Sequence, residues 1–246
     1  MNISGKIALI TGGAHRVGRA ITLALASAGA DVAINYCTST EAASATAAEA
    51  ESIGVRALPL QANVANPEQV EIMLALAERD LGPVGILINA ASRFQKTPLP
   101  TSELTDWRSV TSTLVHGAFQ CANAVAPGMQ ATGEGAIINI IDLMAWQPRR
   151  GFAAHSVGKA ALLALTRQLA VDLAPTVRVN AVAPGPVLPV DHYSAETRER
   201  IAKRTLLKRW GSPEDVASAV LFLVQSDYIT GEHITVDGGE RYGSNQ

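Results

Sequence analysis

Along the chain, short unbroken apolar runs alternate with longer stretches whose apolar positions recur at helical spacing. Residues 6–10, 31–36, 57–61, 86–89, 136–141, 178–182 and 233–236 read as strands. A solid apolar run, rather than an alternating one, suits a strand covered on both faces. Between them, residues 16–28, 40–52, 68–81, 105–129, 153–173 and 213–224 read as helices. Each strand-helix-strand unit has to cross over right-handed, which makes the sheet parallel. The expected architecture is a single α/β domain over residues 1–246: a Rossmann-like, doubly wound parallel sheet of about seven strands with helices on both faces.

Local signals mark several boundaries. Ser212-Pro213-Glu214-Asp215 offers an N-cap serine, proline at the first helical position and acids in the first turn. Asn66-Pro67-Glu68 repeats that arrangement. The least regular stretch, 184–211, interrupts the alternation before the last helix and carries a polar helix at 196–204. It reads either as a lid, about residues 185–212, over the carboxyl ends of the strands, or as a plain surface excursion.

Composition narrows the functional classes. Lys+Arg number 20 against 22 Asp+Glu, a net charge of −2, so nothing suggests a nucleic-acid partner. Cys37 and Cys121 cannot build a disulfide framework and neither has metal-ligand spacing, so no metal site is expected. Residues 1–6 carry no signal-peptide core, and no apolar run approaches the roughly 18 residues of a membrane span. A cytoplasmic enzyme with a small-molecule substrate is expected.

Strand 6–10 runs into Thr11-Gly12-Gly13-Ala14-His15-Arg16-Val17-Gly18 and then a helix. A glycine turn in that place lets backbone amides and a helix N-terminus face a pyrophosphate. The second strand ends in Tyr36-Cys37-Thr38-Ser39-Thr40, with no carboxylate before Glu41. An NAD-preferring site usually places an acid there. Its absence, with the hydroxyls of Thr38 and Ser39 and the nearby His15 and Arg16, points to NADP(H). Asn63, closing the third strand, can either meet the adenine edge or cap its strand.

Together these motifs resemble the short-chain dehydrogenase/reductase family along essentially the whole chain. Asn89-Ala90-Ala91-Ser92 resembles that family's Asn-Asn-Ala-Gly element, and Asn139-Ile140-Ile141-Asp142 its strand bearing the active-site serine. His155-Ser156-Val157-Gly158-Lys159 falls where Tyr-x-x-x-Lys belongs. Asn180-Ala181-Val182-Ala183-Pro184-Gly185, Ile229-Thr230-Gly231 and Val236-Asp237-Gly238-Gly239 complete the pattern. The resemblance implies cofactor contacts at Gly12, His15, Arg16, Val17, Tyr36, Thr38, Ser39, Asn63, Val64, Asn89, Ala90, Ala91, Lys159, Pro184, Gly185 and Val187. Within the family the chain is similar to pteridine reductases, through Arg16 at the second loop glycine, Asp142 in place of serine, and Phe94 after the asparagine element. That likeness implies a flat heteroaromatic substrate stacked on Phe94 and contacting Ser92, Arg93 and Asp142.

Three further positions depart from the family pattern. His155 replaces the proton-donating tyrosine, Leu114 the helix asparagine of a proton relay, and Ala90 the second asparagine. His155 and Lys159, four apart, share a helix face. An imidazole with an ordinary pKa of about 6.5 needs less tuning than a phenol of about 10 to give up a proton near neutrality. The expectation is an NADPH-dependent reductase of a C=N or C=O bond with Asp142, His155 and Lys159 as catalytic residues, His155 donating while Asp142 orients it. A reductase of some other carbonyl compound and a catalytically silent nucleotide-binding protein are the alternatives. Apolar residues on more than one face of helix 153–173 suggest a buried helix contact between subunits, and the resemblance implies a homotetramer. Arg149, Arg150 and Trp146 are candidate pocket residues and His192 a lid residue. His116 and His233 read as structural or exposed, Trp107 and Trp210 as packing anchors, and Cys121 as a small buried hydrophobe.

Overall fold

The computed structural model describes residues 1–190 and 193–243. His192, expected in the lid, lies outside the described residues. Seven parallel strands form one sheet in the order β3-β2-β1-β4-β5-β6-β7: β1 (Ile7–Thr11), β2 (Asp31–Tyr36), β3 (Ala57–Gln61), β4 (Val84–Asn89), β5 (Gly135–Ile140), β6 (Val177–Pro184) and β7 (His233–Val236). The order reverses between β1 and β4, which opens a crevice at the carboxyl ends of those strands. Register brings Thr11, Asn89 and Asn139 side by side across β1, β4 and β5 at the lip of that crevice.

Side chains alternate between two buried layers, which is why the strands are apolar throughout. Ala8, Ile10, Ile86, Ile88 and Ile138 pack toward α1 (Arg16–Ser27), α2 (Thr40–Ile53) and α8 (Pro213–Gln225), against Ile21, Leu25, Val220 and Leu223. Leu9, Leu87, Ile137 and Val179 face α3 (Pro67–Asp80), α5 (Gly117–Thr132) and α6 (Ala153–Asp172), against Met73, Val125, Met129 and Leu169. The caps read from sequence are present. The amide of Gln69 donates to Asn66 Oδ1, and Ser212 with Asp215 forms a reciprocal capping box.

Two expectations need correction. The helix expected at 105–129 is split into α4 (Thr105–Thr111), a π turn at Ser112–His116, and α5. Residue 114 lies in that turn, packed under the active site, a common setting for a π insertion. The fourth strand begins at Val84 rather than 86, because Gly85 extends it without ending it. The irregular stretch after β6 contains α7 (Ala195–Arg204), which has no buried residue and is capped by Ser194. Trp210 Nε1 donates to Arg198 O and anchors that helix. The described residues end with the short α9 (Glu240–Gly243). No helix among the described residues is long and apolar enough to cross a membrane.

Candidate active site

The glycine loop is tightly built. A Cβ on Gly18 would sit 2.1 Å from the carbonyl oxygen of Gly12, and one on Gly12 would meet Ala91 Cα at 2.9 Å. Glycine at both places therefore lets α1 press onto the loop and the loop onto the β4 turn. Asn35 holds the arrangement from β2: the Gly12 amide donates to its Oδ1 (3.3 Å) and its Nδ2 donates to Ala62 O (3.0 Å). Thr11 Oγ1 accepts from the amides of Ala90 and Ala91 (3.0 and 3.1 Å) and fixes the second turn. Sequence reasoning missed both residues; their only signal was a polar side chain inside or ending an apolar strand. No side chain caps the start of α1 and no acid lies in its first turn, so its positive end stays open for an anion.

These elements line a cavity of about 1180 Å³. It collects every expected cofactor, substrate and catalytic residue except Asn89. Asn89 is 4% exposed and lies beneath the floor: its Nδ2 donates to Asn139 Oδ1 (2.9 Å), whose Nδ2 donates to Thr166 Oγ1 (2.9 Å). Its amide thus straps β4, β5 and α6 together, while its Oδ1 is buried without a hydrogen-bond partner among the described residues. Asn63 Oδ1 accepts from the Ala65 amide (3.1 Å), the capping arrangement, while the residue still lines the cavity. Arg16 adopts a left-handed φ of 50°, rare for a residue with a Cβ, and its Nη2 donates to Leu188 O (3.1 Å) where the covering segment begins. Arg149 lines the cavity; Trp146 does not, packing instead on the ring of His233 at 4.8 Å. Arg150 is also outside the lining.

At the reacting end, His155 Nε2 lies 2.6 Å from Asp142 Oδ2, and His155 Nδ1 lies 3.2 Å from the carbonyl oxygen of Arg93. That carbonyl can only accept, so Nδ1 carries a hydrogen and Nε2 faces the carboxylate. The His155 side chain is 2% exposed and that of Asp142 is 25% exposed. Both residues line the cavity, the carboxylate as the more exposed member of the pair and the ring with both nitrogens engaged.

Burial by itself pushes the Asp142 carboxyl up. The hydrogen bond with His155, the charges of Lys159 and His155 and the amide of Met144 outweigh it and hold the group below the ordinary carboxylate range. Lys159 is buried, its Nζ donating to Ile140 O (2.7 Å); burial pulls its pKa down, against an upward pull from Asp142. Leu114, in the place of the relay asparagine, is 1% exposed and fills the space beside Gly158 and Ala154 with hydrocarbon. Phe94 is 57% exposed, stacks on Phe152 with centroids 4.7 Å apart, and meets the His155 ring edge-on at 5.0 Å. Phe152 was not foreseen; it completes an aromatic wall. His116 is exposed, and Cys121 is buried with its thiol pushed up to about 12 by desolvation.

Comparison with known proteins agrees with this geometry. Residues 12–240 match the model of the family described as enoyl-(acyl carrier protein) reductase. A 3-oxoacyl-[acyl-carrier-protein] reductase of Synechocystis is 36% identical over 241 residues, covering 96% of this chain and 97% of that protein. One from Staphylococcus epidermidis is 35% identical, covering 95% and 98%. Among solved structures, a protein described as a short-chain alcohol dehydrogenase from Sinorhizobium meliloti superposes with a TM-score of 0.91 at 33% identity, over 97% of each chain. A blue fluorescent protein from a metagenomic library, solved with NADPH, gives 0.87 at 35% identity over 98% and 99%. The likeness to pteridine reductases read from Arg16, Asp142 and Phe94 gains no support from these relatives, which are named for other substrates. On the full-length match and the parallel sheet, the chain belongs to the short-chain dehydrogenase/reductase family and is an oxidoreductase.

Proposed function

We propose that this chain is an NADPH-dependent reductase of a C=N or C=O bond in a flat, conjugated heteroaromatic substrate, with the Asp142–His155 pair as its proton source. The residues fit the cofactor. The uncapped end of α1 and the close-set glycines suit a pyrophosphate, and the end of β2 offers Thr38 and Ser39 where a carboxylate would repel a 2′-phosphate. A similar structure holds NADPH. When bound, the reduced nicotinamide supplies the hydride.

The single observation that carries the proposal is the 2.6 Å contact between His155 Nε2 and Asp142 Oδ2 at the cavity wall. With the Arg93 carbonyl fixing one hydrogen on Nδ1, a proton taken up by the pair lies between Nε2 and Oδ2. As negative charge develops on the substrate heteroatom, that proton passes from Nε2 through Oδ2 to the substrate, leaving neutral imidazole and carboxylate. The pair regains its proton from solvent through the exposed edge of Asp142, since Leu114 closes the helix-side route. Lys159 adds a buried charge beneath the reacting end. The aromatic wall of Phe94 and Phe152 offers a stacking surface to the substrate ring.

The names of the curated relatives favour a second reading, a reductase of 3-oxoacyl thioesters. NADPH oxidation measured with dihydropterins and with a 3-oxoacyl thioester separates the two. Turnover confined to the thioester would reject the flat substrate, and unchanged turnover in His155→Ala would reject the proton role. The assembly is proposed to be a homotetramer, supported by the exposed apolar residues Phe119 on α5 and Val157 and Val171 on α6. A lone 25.8 kDa species in light scattering would refute it.

A further inference from the structure

One wall of the cavity carries a charge cluster that neither the hydride nor the proton step uses. Glu240, at the start of α9, is 3% exposed yet lines the cavity. Two guanidinium groups lie within ion-pair distance of its Oε1, Arg204 Nη2 from the end of α7 at 2.5 Å and Arg149 Nη2 from the loop after β5 at 3.6 Å, and neither is aligned to hydrogen-bond it. Both arginines line the same cavity, with side chains 44% and 45% exposed respectively. One carboxylate balances one guanidinium, so the cluster retains a positive charge beside the cavity.

Hydrogen bonds tie together the segments that carry the cluster. Asp237 accepts from the amides of Gly239 and Arg241 and shapes the turn that presents Glu240. Gln147 Nε2 donates to Arg241 O, which ties the loop of Arg149 to that turn. The amide of Leu207 donates to Gly238 O, which ties the end of the covering segment to it. Three separate parts of the chain are thus fixed so that two planar donor forks meet at one place. Such forks match the oxygens of a carboxylate or phosphate and lose little freedom on binding when already held. Arg93 and Lys96, on either side of Phe94, add further positive charge to the lining.

We propose that Arg149 and Arg204, positioned by Glu240, form a subsite for an anionic group, carboxylate or phosphate, on an aromatic ligand of this cavity. The inference deepens the reductase reading and rests on it only for the reacting end of the ligand. A neutral ligand of the same shape would take two guanidinium groups out of water with one carboxylate between them, which is unfavourable.

The test is calorimetric titration of the full chain, saturated with NADPH, with benzoate, phenyl phosphate and benzamide. At least one of the two anions should bind roughly tenfold more tightly than benzamide, and the better anion identifies the group. Arg149→Gln should shrink that gap to about twofold to threefold. Arg204→Gln would strand the buried carboxylate, so Arg204→Lys is the informative change there; it should keep a preference for anions. Equal binding of benzamide, no binding of either anion, or an unchanged gap in Arg149→Gln would overturn the proposal. In parallel, carbonyl compounds are compared as free acids and methyl esters by NADPH oxidation. Equal turnover of acid and ester would remove the subsite and leave the reductase standing. Selective anion binding with no turnover of any compound would remove the reductase reading and leave the subsite.

Discussion

The helix that carries His155 and Lys159 is capped from outside itself, and Thr97→Val tests what that cap is worth. Phe152, at the N-cap of α6, makes no side-chain capping bond. The amide of Ala154, whose residue is fully buried, donates instead to Thr97 Oγ1 at 2.9 Å, while the Thr97 amide donates to Gly151 O at 2.7 Å. Valine keeps the branched shape and the second bond but removes the acceptor, and so leaves a buried N–H without a partner. That loss costs about 1–3 kcal/mol, in line with about 0.5–2 kcal/mol for removing an ordinary N-cap. Because Ala154 immediately precedes His155, the loosened first turn should also misalign the His155–Asp142 contact. Urea unfolding should show the midpoint falling in Thr97→Val and recovering in Thr97→Ser. The pH dependence of kcat should shift in the valine variant and return with serine. A valine variant within about 0.5 kcal/mol of the parent, with an unmoved pH profile, would refute the reasoning.

Three further outcomes are expected. Gly18→Ala places a carbon 2.1 Å from a backbone oxygen, so it should cost about 1–3 kcal/mol or more in unfolding experiments and weaken NADPH binding measured by fluorescence titration. Asp142 has a lowered folded-state pKa, so its contribution to stability is complete above the unfolded value of about 3.9 and is lost as pH falls through the folded value. The fall in denaturation midpoint below about pH 4 should therefore be flatter in Asp142→Asn, and parallel acid limbs would contradict this. Thr38→Asp puts a carboxylate at the end of β2, where it should weaken NADPH roughly tenfold or more relative to NADH in paired titrations.

Much of the architecture was legible without coordinates, because strands covered on both faces must be apolar throughout and helix ends need caps encoded within four residues. The Asn66 and Ser212 caps, the glycine turn after β1, and the missing acid after β2 are all local features, and local chemistry sufficed to read them. The π turn around Leu114, which packs beside Ala154 and Gly158, was not legible, because a helical pattern is indifferent to one extra residue in a turn.

The chemistry at the reacting end depended on contacts between distant parts of the chain. Sequence placed Asp142 and His155 in one site, but the orientation of the imidazole ring followed from the Arg93 carbonyl, supplied by a loop 62 residues away. The same holds for Thr97 capping α6 and for Arg149, Arg204 and Glu240 meeting at one oxygen. Residue type and spacing determined which groups are available for proton transfer and nucleotide binding. Sheet register and loop packing decided their order, because hydrogen-bond direction and burial depend on neighbours that no local pattern specifies.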